Sequence, residues 1–131
     1  MHATSSTGSV LRWPSSAAVL EQAGAWARRQ AAAHADLEAV GVFGSYGRGD
    51  AGVGSDLDLL LVLHHCDLPV WERLRRWDTA RLPLATDLLV YSRAEWETLP
   101  QWNPKLAEVL ARDVRWLVGS GRQTGQIDGS R

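Results

Sequence analysis

The sequence predicts an α/β domain in which a mixed β-sheet is flanked by helices. Two observations carry this. Segments of helical and strand character follow one another in the order α-β-β-α-β-α-β, a pattern that folds as helices packed on a sheet. The run Leu57–Leu63 is apolar on both faces apart from Asp58, as expected of a strand covered by helices.

The elements follow in chain order. Over Ser16–Ala33, Val19, Ala23, Trp26 and Ala33 recur at helical spacing, with Arg28, Arg29 and Gln30 elsewhere on the wheel and Pro14-Ser15-Ser16 as a start signal. Leu37–Phe43 is short, partly β-branched and closed by Gly44, which suits a buried strand. Residues 50–55 are glycine-rich and aperiodic, hence a loop, and Leu57–Leu63 is the clearest strand. Asp67-Leu68-Pro69 reads as an N-cap followed by a first-turn proline, opening a helix with Val70, Leu74 and Trp77 on one stripe. Residues 86–91 form a third strand. Ser92-Arg93-Ala94-Glu95 has the capping-box pattern, and Asn103-Pro104 opens a last helix bearing Leu106, Val109 and Leu110. Val114, Trp116 and Val118 alternate with Arg115 and Leu117, a short final strand.

The 131 residues are enough for one domain, expected over 14–118, with a flexible lead-in over 1–13 and a disordered glycine- and polar-rich tail over 119–131. A chain 45% hydrophobic and 22% charged is not disordered in composition. A formal net charge of −1 provides no global basic field, which argues against nucleic acid as a partner. The arginines do cluster, at Arg28-Arg29 and at Arg73, Arg75 and Arg76; such clusters read as solvated helix faces or a local patch. Cys66 is the only cysteine, which implies a reducing, cytoplasmic setting. No apolar run approaches the roughly 18 residues of a membrane span. Seven tryptophans are a heavy load for this length, and some are expected to cover more than the domain's own core.

The chemistry concentrates in Gly44-Ser45-Tyr46-Gly47-Arg48-Gly49 and, after a loop, Ser55-Asp56-Leu57-Asp58-Leu59. Alternation along a strand sends Asp56 and Asp58 the same way. Two carboxylates on one face of an apolar strand repel each other and are costly to desolvate, and a hard cation between them removes that cost. Magnesium suits all-oxygen ligands and keeps positions for water and substrate phosphates. Gly44 follows an apolar strand and lets a phosphate approach the main chain; Ser45 adds a hydroxyl and Arg48 a planar cation. Phosphate grip and carboxylates thus lie about one loop apart, as a metal-bound nucleoside triphosphate requires.

Gly44-Ser45, ten residues and then Asp56-x-Asp58 resembles the signature of the polymerase-β-like nucleotidyltransferase superfamily. The continuation through Arg48-Gly49 and Ser55-Asp56-Leu57-Asp58-Leu59 is most similar to the minimal nucleotidyltransferases, the MNT proteins, over roughly 37–118. One departure is Gly47, where the family usually has alanine. The resemblance implies the polymerase-β-like nucleotidyltransferase fold and a third carboxylate on a neighbouring strand. Asp87, the only acid within an apolar strand, is the candidate. It implies further that Asp56 and Asp58 hold magnesium, two ions in all. Asp87 helps bind the catalytic ion and activates the nucleophile, while Gly44, Ser45, Arg48 and Ser55 serve the nucleotide.

MNT proteins commonly pair with a helical HEPN partner. The resemblance therefore implies an antitoxin that transfers AMP from ATP to a tyrosine of a HEPN toxin. Two alternatives stand beside it: an antitoxin acting by binding alone, against which the costly acid cluster argues, and a small-molecule nucleotidyltransferase of the aminoglycoside type, which usually carries a further domain. The acceptor, the nucleotide preference and homo-oligomerisation are left open. His64-His65-Cys66-Asp67 has no second ligand cluster and is not read as a metal site. His2 and His34 have no recognisable context, and Tyr46 could stack on a base or pack under its turn.

Overall fold

The computed structural model describes residues 13–121. Helix α1 spans Ser16–Ala33, strand β1 Leu37–Phe43, the short helix α2 Gly44–Arg48, and β2 Leu57–Leu63. Helix α3, Val70–Arg73, tightens into a 3₁₀ turn over Leu74–Arg76, and β3 follows at Thr86–Ser92. Helices α4 (Arg93–Trp102) and α5 (Pro104–Asp113) precede β4 (Arg115–Val118). The expected lead-in over 1–13 and tail over 119–131 fall almost wholly outside the described residues. Gly121, the last of these, is buried, and the Trp96 indole N–H donates to its carbonyl.

The strands form one mixed sheet in the order β3-β2-β1-β4. β1 runs antiparallel to β2 and β4, whereas β2 and β3 are parallel. Alternation along β2 divides its side chains between two cores. Leu57, Leu59, Leu61 and Leu63 pack under α1 with Val19, Ala23, Trp26 and Trp77. Leu60 and Val62 pack with Trp96, Leu99 and Leu110 of α4 and α5. A sheet covered on both faces explains why β2 is a continuous apolar run.

Local signals account for most boundaries. Ser15 caps α1 through Ala18 N–H, and Asn103 caps α5 through Leu106 N–H with Pro104 in the first turn. At α4 both halves of the capping box form: Ser92 Oγ accepts from Glu95 N–H, and the Glu95 carboxylate accepts from Ser92 N–H. The region before β3 differs from its pattern. Pro69, not Asp67, occupies the N-cap of α3, and Asp67 pairs with His65. The helix stops after four residues, so the Val70, Leu74 and Trp77 stripe is broken. Trp77 turns into the core against His34, while Val70 and Leu74 stay exposed.

The arginines there are fastened down. Arg73 is buried, with two prongs to Glu95 at 2.7 and 3.0 Å and further bonds to the Leu68 and Val90 carbonyls. Arg76 grips Asp36 at 2.8 and 3.0 Å and lies over the Trp77 ring. These are structural ties and not a basic patch; Arg75, with no such tie, is exposed.

Candidate active site

The candidate residues meet at one end of the sheet, where β1 ends and β2 and β3 begin. Asp58 stands opposite Phe43 on one side and opposite Asp87 on the other. Because β2 and β3 are parallel and neighbouring strands lie about 4.8 Å apart, the two acids are carried side by side. Their strand positions place them on the face covered farther along by α4 and α5, for Leu60 and Leu89, two residues on in each strand, lie in that core. Asp87 is exposed and Asp58 half-buried. Asp56 lies just before β2, exposed.

The electrostatics follow from this placement. Burial pushes the Asp58 carboxyl above the usual carboxylate range, and the negative charges of Asp87 and Asp56 push it further; Arg48 opposes them. Several other acids of the fold are neutralised in pairs, as in Arg76–Asp36, Arg73–Glu95 and Arg48–Asp113. Among the described residues Asp56, Asp58 and Asp87 have no ion-pair or hydrogen-bond partner. Such a concentration of negative charge attracts cations.

Gly44 opens the turn from β1 into α2 with φ +66°, and a β-carbon there would lie 2.3 Å from Oδ2 of Asp58. The glycine therefore permits both the turn and the approach of Asp58. Ser45 is the next residue; its carbonyl accepts from the amides of Gly49 and Asp50, while its hydroxyl has no partner among the described residues. Tyr46 is buried under the turn in the α1-side core, so it packs and is not exposed for stacking. Ser55 closes the loop before Asp56, exchanging bonds with Gly52: its hydroxyl accepts from Gly52 N–H and its amide donates to Gly52 C=O.

Arg48 is engaged. Its Nε donates to Asp50 at 3.1 Å and its Nη1 to Asp113 at 3.2 Å. Asp113 at the end of α5 is 2% exposed, and it also takes a bond from Arg112 at 3.0 Å. Both arginines hold its carboxyl below the usual range. Sequence reasoning misses Asp113, because its signal, an acid ending an amphipathic helix, is indistinguishable from a solvated one. Through it α5 is tied to the glycine motif. A β-carbon on Gly47 would lie 2.3 Å from the Asp113 carbonyl oxygen and 2.8 Å from that of Val42. The departure from alanine at Gly47 therefore goes with the close packing of α5.

The donor chemistry suits a hard divalent cation, since the three candidates offer carboxylate oxygens alone. Among the described residues no three His, Cys, Asp or Glu side chains converge tightly enough to enclose an ion. No helix among the described residues is long and apolar enough to cross a membrane.

Comparison with known proteins gives the family. A Sulfolobus solfataricus protein provisionally assigned as a nucleotidyltransferase shares the fold at a TM-score of 0.57 and 23% identity, over 81% of this chain and 89% of that one. A chain from a toxin-antitoxin structure with AMP-PNP is more distant, at a TM-score of 0.49 and 18% identity over 77% of this chain and 73% of its own. The comparison with curated proteins finds no match. The model of the nucleotidyltransferase domain matches residues 27–111, which include the glycine motif and all three acids. By that match the chain belongs to the nucleotidyltransferase domain family and is a nucleotidyltransferase.

Proposed function

We propose that this enzyme transfers AMP from ATP to a hydroxyl acceptor with the help of magnesium, and that the acceptor is a tyrosine of a helical HEPN toxin. The observation that supports it best is the pair of uncompensated acids, Asp58 opposite Asp87 in the parallel register, with Gly44 closed against Asp58. The resemblance to MNT proteins supports the choice of acceptor, and the single cysteine a reducing, cytoplasmic setting.

In this reading Asp56, Asp58 and Asp87 hold the magnesium ions. Bound there, magnesium supplies positive charge against the α-phosphoryl oxygens and the departing pyrophosphate. The main chain at Gly44 and the hydroxyl of Ser45 hold the triphosphate. Ser55 keeps the loop in place through Gly52, and Arg48, already bonded to Asp50 and Asp113, stiffens the motif and lends its charge to the phosphate side. The acceptor oxygen forms a bond to the α-phosphorus, the bond from that phosphorus to the bridging oxygen breaks, and pyrophosphate leaves. Asp87 takes the hydroxyl proton.

The test is incubation with α-labelled ATP and magnesium, with and without a co-encoded helical protein. Label is expected on a tyrosine of that protein and is expected to be lost in Asp56→Asn and Asp58→Asn. Equal labelling by wild type and both variants would overturn the catalytic reading.

A further inference from the structure

The tryptophan load and the broken stripe on α3 have a common outcome on the surface. Val70 and Trp71 are 67% and 68% exposed, and Trp102 51%, far more than large apolar side chains with only a core to fill. Val70 and Trp102, with Leu74, Leu88 and Tyr91, line a groove of about 530 Å³ between α3, α4 and the outer side of β3. That volume lies in the range of functional binding pockets, and exposed apolar surface gathered in one place marks an interaction site. β3 is also an end strand of the sheet.

Two properties define what fits. The groove adjoins one of the acids: Leu74 and Leu88 also line a smaller hollow of about 220 Å³ whose other walls are Trp77, Thr79, Thr86 and Asp87. It also offers no unpaired charge. Its only charged residues, Arg73 and Glu95, are locked to one another in a two-pronged pair, and the other guanidinium bonds go to the Leu68 and Val90 carbonyls. A polycationic aminoglycoside or a nucleic-acid backbone finds no counter-charge there, whereas an uncharged apolar segment has no charge to desolvate on entering.

We infer that this groove seats an apolar, uncharged segment of a protein acceptor and directs its hydroxyl into the hollow beside Asp87. The inference rests on the nucleotidyl-transfer reading and adds the surface that selects the acceptor. Val70 and Trp102, at the end away from Asp87, bind the acceptor without touching the nucleotide.

Three acceptors serve as probes with α-labelled ATP and magnesium: a capped, uncharged peptide with a tyrosine among leucines and valines, kanamycin, and a single-stranded oligonucleotide. The peptide is expected to be labelled in preference to the others. Val70→Glu and Trp102→Glu are expected to lower kcat/KM for it roughly tenfold, as loss of an interface anchor does, with the affinity for a magnesium-bound non-hydrolysable ATP analogue unchanged. Gln22→Glu, which adds the same charge on the exposed side of α1, is the control and keeps the wild-type rate. Peptide labelling abolished by Asp58→Asn but untouched by Val70→Glu and Trp102→Glu would overturn the groove assignment and leave the catalytic reading standing. Preferred labelling of kanamycin or the oligonucleotide would overturn it as well, as would a wild-type dimer that Val70→Glu dissociates. If wild type labels none of the three and fails to bind the analogue, the catalytic reading itself falls.

Discussion

Gly44 and Asp58 lie so close that a β-carbon on the first would stand 2.3 Å from a carboxylate oxygen of the second. The contact joins the turn after β1 to the acid on β2, so the glycine turn and Asp58 cannot be repositioned independently. Gly44→Ala therefore meets two costs, a backbone at φ +66° and displacement of Asp58. The expected destabilisation is about 1–3 kcal/mol, read by urea unfolding. Transfer compared at equal folded fraction should fall further than that loss explains. An alanine variant with the wild-type rate would show that Asp58 need not sit where the glycine admits it.

Gly47 faces main-chain oxygens of Asp113 and Val42, neither of which can swing aside as a flexible side chain could. Gly47→Ala should destabilise by about 1–3 kcal/mol through overpacking, although alanine improves helix propensity by about 1 kcal/mol elsewhere. A lower unfolding midpoint is the check, and a raised one would mean that α5 is free to move away.

The Arg73–Glu95 pair gives the fold an acid sensitivity away from Asp56, Asp58 and Asp87. The guanidinium beside Glu95 holds its carboxyl below the ordinary value of 4.5. Its contribution is therefore complete above that ordinary value and disappears as pH falls through the lowered one. Glu95→Gln should cost about 1–2 kcal/mol at neutral pH, a figure kept small by the partial exposure of Glu95. It should also remove this part of the acid-induced loss. Melting curves over about pH 3 to 7 test it, and parallel wild-type and variant profiles would count against the pair as the cause.

Local rules written in consecutive residues are legible from the chain alone. The Ser92–Glu95 capping box, the Ser16–Ala33 helix and the apolar run of β2 each state their conformation within a few positions. The glycine motif and the two acids after it are legible for the same reason. Long-range ties are not. Nothing near Arg73 in the sequence announces Glu95, and nothing near Arg48 announces Asp113, 65 residues away. Trp77 continues the α3 pattern by spacing, but the helix ends early and the ring packs on His34. Ala33 fits the apolar stripe of α1 by spacing and is exposed at its end, whereas Ala27 is buried. The pairing of Asp58 with Asp87 depends on the parallel register of β2 and β3, which alternation within either strand cannot supply.

In the proposed function Asp56, Asp58 and Asp87 serve transfer of a nucleotidyl group and not of a terminal phosphate. The most direct measurement supplies ATP labelled on the α-phosphate in one reaction and on the γ-phosphate in another, with magnesium and a tyrosine-bearing acceptor. Covalent label from the α position alone, with γ label recovered in pyrophosphate and the signal lost in Asp58→Asn, is the predicted result. Covalent label from the γ position, or α label undiminished in Asp58→Asn, would contradict it.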